Sequence, residues 1–476
     1  MSGDTGGSGA GGAAASTLNR PVASALVRLA LPVLASQTLR LAFQWVDALW
    51  VRGLGVNATA AITTSVFVMW TVYSLHDVFG IGISAYVSQL MGAGDRPRAG
   101  VAAWKGIQAS ALMGLVGVAL GVFGAKAIFS AMDPSGRIVA EGASYLGVVL
   151  LGAPFIMVSL SCENVLRACG DTRTPFVVDF VAIALNAALA PVLIYGLGPF
   201  PAMGVAGAAW ATVCAQVLMF ATYMVLAARR MPSFPLARRA DGPPVRVLGM
   251  ARVGLPAALI GSLFSVVYIA FVRSASAHGP AAAAMVGIGN RIEAIQFVFS
   301  ASLGLAAATL LGQAIGANRP DRAAEVLRTS QRWSVAFAAV FMVAMFAVPK
   351  FFLGMFTTDA GVLELGVPYL RVLSLTVVAT GLEIATAEAI MGSGHTTAIS
   401  WIFTAVSLLR IPLAFAVPAW THSGAMGIVW LITVSCWVRT AAILVWSRRG
   451  TWKRGLRGEL HGPAEIGSPD APGEAL

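Results

Sequence analysis

Apolar stretches of roughly 20 or more residues recur from Val22 to Trp446, separated by short breaks rich in Gly, Pro, Asp and Arg. A helix rises 1.5 Å per residue, so about 20 such residues cross a hydrocarbon layer ~30 Å thick. No water in that layer satisfies backbone N–H and C=O groups, so these runs must bond internally as helices. The alternation of apolar and polar positions that marks a membrane barrel is absent. The pattern predicts spans at 23–50, 59–90, 100–126, 138–168, 175–197, 203–228, 250–277, 281–315, 324–353, 362–392, 396–418 and 423–447. The fold class that follows is an all-α integral membrane protein with about twelve transmembrane helices.

Composition removes the soluble alternative. The chain is 57% hydrophobic and 11% charged, with a mean hydropathy of +0.79, whereas a soluble domain carries about a quarter charged residues. Residues 1–19 are Gly/Ala/Ser-rich, lack the pattern of a signal peptide and read as a disordered N-terminus. The long polar, Pro-rich interruption is 229–249, a linker between an N-lobe at 20–228 and a C-lobe at 250–447. Residues 448–476 form a polar tail, read as flexible.

The net charge of +11 does not point to nucleic acid. Arg20, Arg28, Arg96, Arg98, Arg173, Arg229, Arg230, Arg238, Arg239, Arg319, Arg322, Arg448, Arg449, Lys453 and Arg454 fall at the termini or at alternate connections, and the intervening connections are poor in basic residues. That asymmetry places both termini and the linker on the cytoplasmic side of a cell membrane, with lipid headgroups as the basic residues' partners. Cys162, Cys169, Cys214 and Cys436 form no CxxC pair and accompany no His cluster, so they read as packed thiols and no metal is expected.

An internal repeat explains the even number of spans. Leu31-Pro32 recurs as Leu255-Pro256, Gln89 and Gly92-Ala93 as Gln313 and Gly316-Ala317, and Arg98-Ala99 as Arg322-Ala323. Tyr145-Leu146 recurs as Tyr369-Leu370, and Gly170 and Thr172 as Gly394 and Thr396. Every pair is 224 positions apart (313 − 89, for example). Two six-helix units entering from the same side form a parallel repeat, and transporters of that construction place the substrate path between the halves.

The repeated motifs resemble those of the MATE family of multidrug and toxin extrusion transporters. The resemblance is carried by ALPVLASQTLRLAFQWVDALWV (30–51), VSQLMGAGDRPRA (87–99), LRACGDTRTP (166–175), NAALAPVLIYGLG (186–198) and LLGQAIGANRPDRA (310–323), in order across both halves. It implies a V-shaped pair of lobes, alternating access, and export of organic, often cationic, compounds in exchange for protons or sodium ions. No resident cofactor is implied, and the pathway is complete in a monomer.

Ionisable residues inside spans are functional by default, and Asp47, late in the first span, is the leading candidate. Gln44, Phe43, Trp45 and Trp50 surround it in sequence. A carboxylate in a poorly solvated cavity exchanges a proton near neutral pH, and aromatic faces favour a bound cation. The resemblance gives the same position the coupling role; pairing with Arg52 is the alternative. Asn186 matches the family's N-x-x-x-D pattern, but the Asp expected four residues later is Ala190, so the usual N-lobe carboxylate pair is incomplete.

Asp77 lies mid-span beside His76, although neighbours on a helix diverge by 100° and need not cooperate. Asp179 reads as an acid welcomed by its helix dipole, and Glu163–Arg167 as an i, i+4 pair of little consequence. In the second half Phe271 occupies the position equivalent to Asp47, and Glu293 and Glu383 are the deep acids expected to line a cavity. Arg410 is a candidate partner for one of them, and Glu388 reads as structural.

The function these observations predict is secondary active efflux of a small organic compound, cationic and amphipathic, by antiport with H⁺ or Na⁺. A flippase or exporter of a lipid-linked or anionic substrate is the alternative, for which Arg40 and Arg410 leave room. An intramembrane enzyme would need a nucleophile–base pair or metal motif within a span, and neither HExxH nor GxSxG occurs in one.

Overall fold

The computed structural model describes residues 19–132 and 136–460, so the expected disorder of the N-terminus falls outside the described residues. The N-lobe comprises α1 (Val22–Arg52), α2 (Val56–Gly92), α3 (Arg96–Ala119), α4 (Ala125–Met132), α5 (Val139–Leu151), α6 (Ala153–Ala168), α7 (Arg173–Tyr195) and α8 (Val205–Ala228). The C-lobe comprises α9 (Val247–Ser276), α10 (Pro280–Gly316), α11 (Pro320–Ala347), α12 (Pro349–Gly354), α13 (Ala360–Met391), α14 (Thr396–Thr421) and α15 (Ala425–Arg448). A 3-10 turn, Thr451–Arg454, and the short α16 (Arg457–Leu460) follow. Among the described residues ten segments are long and apolar enough to cross a membrane, and a bent pair brings the number to eleven. The 37-residue α2 completes the predicted twelve.

The bent pair corrects one expectation. The span expected at 138–168 is α5 and α6, which meet at Gly152 with a bend of 51°. Pro154 stands in the first turn of α6; its ring removes a backbone donor and clashes with the preceding turn, so the helix breaks there. The third span is also interrupted, by a π-helical turn at Leu120–Gly124. The turns after α2 and α10 keep the repeat even where residues differ: Gly94 (φ 79°) and its counterpart Asn318 (φ 56°) are both left-handed, a conformation Gly and Asn tolerate. Asp95 caps α3 by accepting from the Arg98 N–H at 3.1 Å, and Asp171 accepts from Thr174 N–H at 3.0 Å to start α7.

The lobes interlock at the end that carries the linker. Leu26 and Leu29 of α1 are buried in the C-lobe cluster with Leu303, Leu310 and Ile399. Met250 and Val253 of α9, each 224 positions on (250 − 26), are buried in the N-lobe cluster with Tyr86 and Tyr223. Each lobe thus inserts the start of its first helix into the other. α2 and α10 approach so closely at their ends that a Cβ on Gly92 would collide with the Gln313 carbonyl, and one on Gly316 with the Gln89 carbonyl. Small residues permit such backbone contact between membrane helices. The outer surface is apolar: Phe123, Trp401 and Trp420 are 85%, 68% and 76% exposed, as suits a lipid-facing wall. We predict that Gly92→Val or Gly316→Val wedges this seam and lowers stability by about 1–3 kcal/mol, measurable as a lower thermal midpoint in detergent. An unchanged midpoint would show that the seam tolerates a side chain.

Candidate functional site

The N-lobe gathers four charges that lie apart in the sequence. Arg40 Nη2 on α1 is 2.9 Å from Glu163 Oε2 on α6 and 2.7 Å from Asp179 Oδ2 on α7. Arg167, one turn beyond Glu163, bonds to Glu163 Oε1. The two carboxylates are 1% and 2% exposed, and Arg40 is 30% exposed. Glu163–Arg167 is therefore not an inconsequential helical pair, and Asp179 is held by Arg40 rather than by a helix terminus alone. Charges removed from water persist only when paired in this way.

This ion cluster fixes the level of Asp47. α1 and α7 both start at the linker end, so they run parallel, and Arg40 meets Asp179. Seven residues further, two turns along each helix, lie Asp47 and Asn186. Higher still, the Tyr195 hydroxyl donates to the Trp50 carbonyl at 2.5 Å, so the backbone of α1 at position 47 runs beside Asn186–Ala190. The side chains of Gln44 and Asp47 lie outside the described residues. Asn186 is 4% exposed; its Nδ2 donates to Thr212 Oγ1 on α8 at 3.2 Å, and its buried Oδ1 has no partner among the described residues. Ala190 is fully buried and leaves a small apolar wall where a carboxylate was expected.

Asp77 sits elsewhere, half-exposed on α2 with His76 Nδ1 3.5 Å away. His76 is buried and joins through Nε2 to Ser161 Oγ at 3.2 Å, which donates to Ser110 Oγ at 2.7 Å. The neighbours His76 and Asp77 thus come together despite their sequence adjacency.

In the C-lobe, Glu383 is buried against Arg439, with Oε1 2.6 Å from Nε. Arg439 also lies over the Phe403 ring at 3.8 Å. This places Glu383 in an internal ion pair on the α13–α15 contact, where the sequence reading had it lining a cavity. Arg410 donates to Ser435 Oγ at 2.8 Å and to Cys436 Sγ at 3.0 Å. Glu293 is partly exposed on α10. Arg40 and Arg439, the arginines that neutralise the deep acids, escaped the sequence reading as partners; an arginine inside a predicted span was the available signal.

Two glutamines close the linker end. Gln89 Nε2 donates to the Gly392 carbonyl at 3.2 Å, and Gln313 Nε2 donates to the Ala168 carbonyl at 2.9 Å. Each bond crosses between lobes, and donors and acceptors are both related by the repeat (313 − 89 and 392 − 168, each 224).

The MatE family model matches residues 32–192 and 256–416, two stretches with the same 224-residue offset (256 − 32). The chain belongs to the MATE family. Among its relatives are the probable multidrug resistance protein NorM of Thermotoga maritima, 25% identical over 90% of this chain and 93% of that protein, and the FAD transporter of Shewanella oneidensis, 28% identical over 83% and 88%. A solved MATE transporter in the straight conformation has a TM-score of 0.85 at 22% identity, covering 92% of this chain and 98% of that one, and it establishes the two-lobe fold. As a member of the MATE family, the chain is a multi-pass membrane transporter and not an enzyme.

The N-lobe ion cluster makes a specific demand on stability. Arg40→Gln leaves Asp179 without its cation and is expected to cost about 3–5 kcal/mol. Adding Asp179→Asn should recover part of that loss in a double-mutant cycle read by thermal unfolding; strictly additive losses would show that the pair contributes nothing.

Proposed function

We propose that this MATE chain is a secondary active exporter of small amphipathic organic cations, driven by inward flow of H⁺ or Na⁺, with Asp47 as the coupling group. The observation that carries the reading is the level of position 47 beside Asn186, whose buried Oδ1 has no partner among the described residues. A carboxylate at that level and an acceptor oxygen can share a proton or a Na⁺ ion. Losing the ion would free the carboxylate for a cationic cargo, and rebinding would displace it. The linker end, with its arginines, is the cytoplasmic face of a cell membrane. The lobes are closed at that end. One chain supplies both lobes, and no second copy is needed to complete the path.

A second reading, export of an anionic or lipid-linked compound, is favoured by the relative named as an FAD transporter and by the partial exposure of Arg40. Cationic cargo is preferred because Arg40 already binds two carboxylates, whereas the carboxylate of Asp77 stands half-exposed beside His76.

The test is efflux of ethidium from proteoliposomes under a proton gradient or a sodium gradient imposed separately. One gradient should drive export, and Asp47→Asn should reduce it at least about tenfold, the scale of losing one charged partner in the coupled state. Wild-type efflux in Asp47→Asn would move coupling to Glu293. No gradient-driven cation movement at all would favour the anionic reading.

A further inference from the structure

We propose that the ten residues after the last span, Thr451–Leu460, form a latch that holds the linker end closed and must leave Gln89 before that end can open. The segment was expected to belong to a flexible tail, yet it is folded across the joint between the lobes. Its first half is anchored to the C-lobe. The chain turns at Gly450 (φ 71°), Trp452 is 2% exposed within the cluster that contains Leu310 and Ile443, and its indole N–H donates to the Ser447 carbonyl at 2.8 Å. Its second half is anchored to the N-lobe. Leu456 and Leu460 are buried in the cluster that contains Tyr86 and Leu166, and Arg98 Nη2 donates to the Leu460 carbonyl at 2.7 Å.

Between the two anchors the segment meets one of the closing glutamines. The Leu456 N–H donates to Gln89 Oε1 at 2.9 Å, so the amide that bonds Gly392 through its nitrogen is held from its other side by the tail. Gly455 (φ 57°) fits against Gln89 and Ile315 with no room for a Cβ. The repeat exposes the asymmetry: Gln313, the counterpart of Gln89, is also buried, but its Oε1 has no partner among the described residues. The chain after α8 starts alike, with a left-handed residue at Arg230 (φ 50°). It then diverges over α3, where Arg96 Nη2 donates to the Pro232 carbonyl at 2.5 Å. One copy of the exit segment became the linker, and the other became the latch.

A segment this short cannot follow both lobes apart. Trp452 and Leu456 are four positions apart (456 − 452), and an extended chain spans at most about 3.6 Å per residue. Separation of Gln89 from Ile315 therefore pulls Leu456 and Leu460 from the N-lobe. The latch rests on alternating access between the lobes but not on the identity of cargo or coupling ion.

The experiment uses spin labels at Pro97 and Asp321, exposed and repeat-related positions on α3 and α11 (321 − 97, 224), in full-length chain with its four cysteines replaced. Interlabel distances are measured by double electron–electron resonance in nanodiscs, without cargo. Leu456→Asp with Leu460→Asp should raise the ratio of long to short distances about tenfold or more, the scale of exposing one leucine. Gly455→Val keeps both leucines and only displaces the segment; it should move the distribution in the same direction. A chain ending at Leu460 should behave as the full chain. An unchanged distribution in either monodisperse variant, or an equal shift on removing 461–476 alone, overturns the latch. Because the distances need neither ion nor cargo, a latch that fails leaves the antiport reading intact, and a failed antiport assay leaves the latch intact.

Discussion

Arg40 sets the geometry of the N-lobe because it joins two buried carboxylates on different helices, and such groups stay ionised in an apolar layer only when paired. An unpaired buried ion costs several kcal/mol, and Glu163 and Asp179 are almost fully buried on different helices. Arg167 reaches Glu163 alone; Arg40 reaches both acids through a single nitrogen. That contact admits one register of α1 against α6 and α7. The level of position 47 beside Asn186 follows from it, and so does the reach of the first turns of α1 into the C-lobe. Sliding α1 by one turn would unpair Asp179 and withdraw Leu26 and Leu29 from the cluster they share with Leu303 and Leu310.

The repeat was legible in the sequence because it is a property of positions along one line. The offset between Gln89 and Gln313 needs no geometry, and it returns in the structure as a pair of equivalent bonds to Gly392 and Ala168. What the line could not carry was which charges meet. Glu163 and Arg167 share a helix, so their pairing was visible; Arg40 lies 123 residues from Glu163, and only its long side chain, reaching from α1 across to α6, joins them. Arg439 escaped as Glu383's partner for the same reason. The break at Gly152 was written in Pro154 but masked by an unbroken apolar run. The latch was hidden by its polar composition, since only Trp452, Leu456 and Leu460 carry its packing.

The chemistry of the closed end suits a joint that must open. Its contacts include glycine backbones, apolar side chains and amide-to-carbonyl bonds, and the glutamine locks themselves are uncharged. Each such bond is worth about 0.5–1.5 kcal/mol net, and water replaces it when the lobes part. A buried salt bridge at the same place would leave two unpaired charges on separation and cost far more. The strong ion pairs, Arg40 with Asp179 and Arg439 with Glu383, instead lie inside single lobes, where they hold each rigid. Strength within lobes and weakness between them is what rocking of two bodies requires.

The charges that remain bias what such a joint can carry. Within the N-lobe, Arg40 and Arg167 balance Glu163 and Asp179; within the C-lobe, Arg439 balances Glu383. Asp77 stands apart from these pairs, half-exposed on α2 with His76 Nδ1 3.5 Å away. The latch adds apolar burial to the closed state through Leu456 and Leu460. A joint held by small polar bonds and apolar packing rather than by strong ion pairs can sit near balance, and only near balance can the few kcal/mol of an ion or a cargo decide which way the lobes rest.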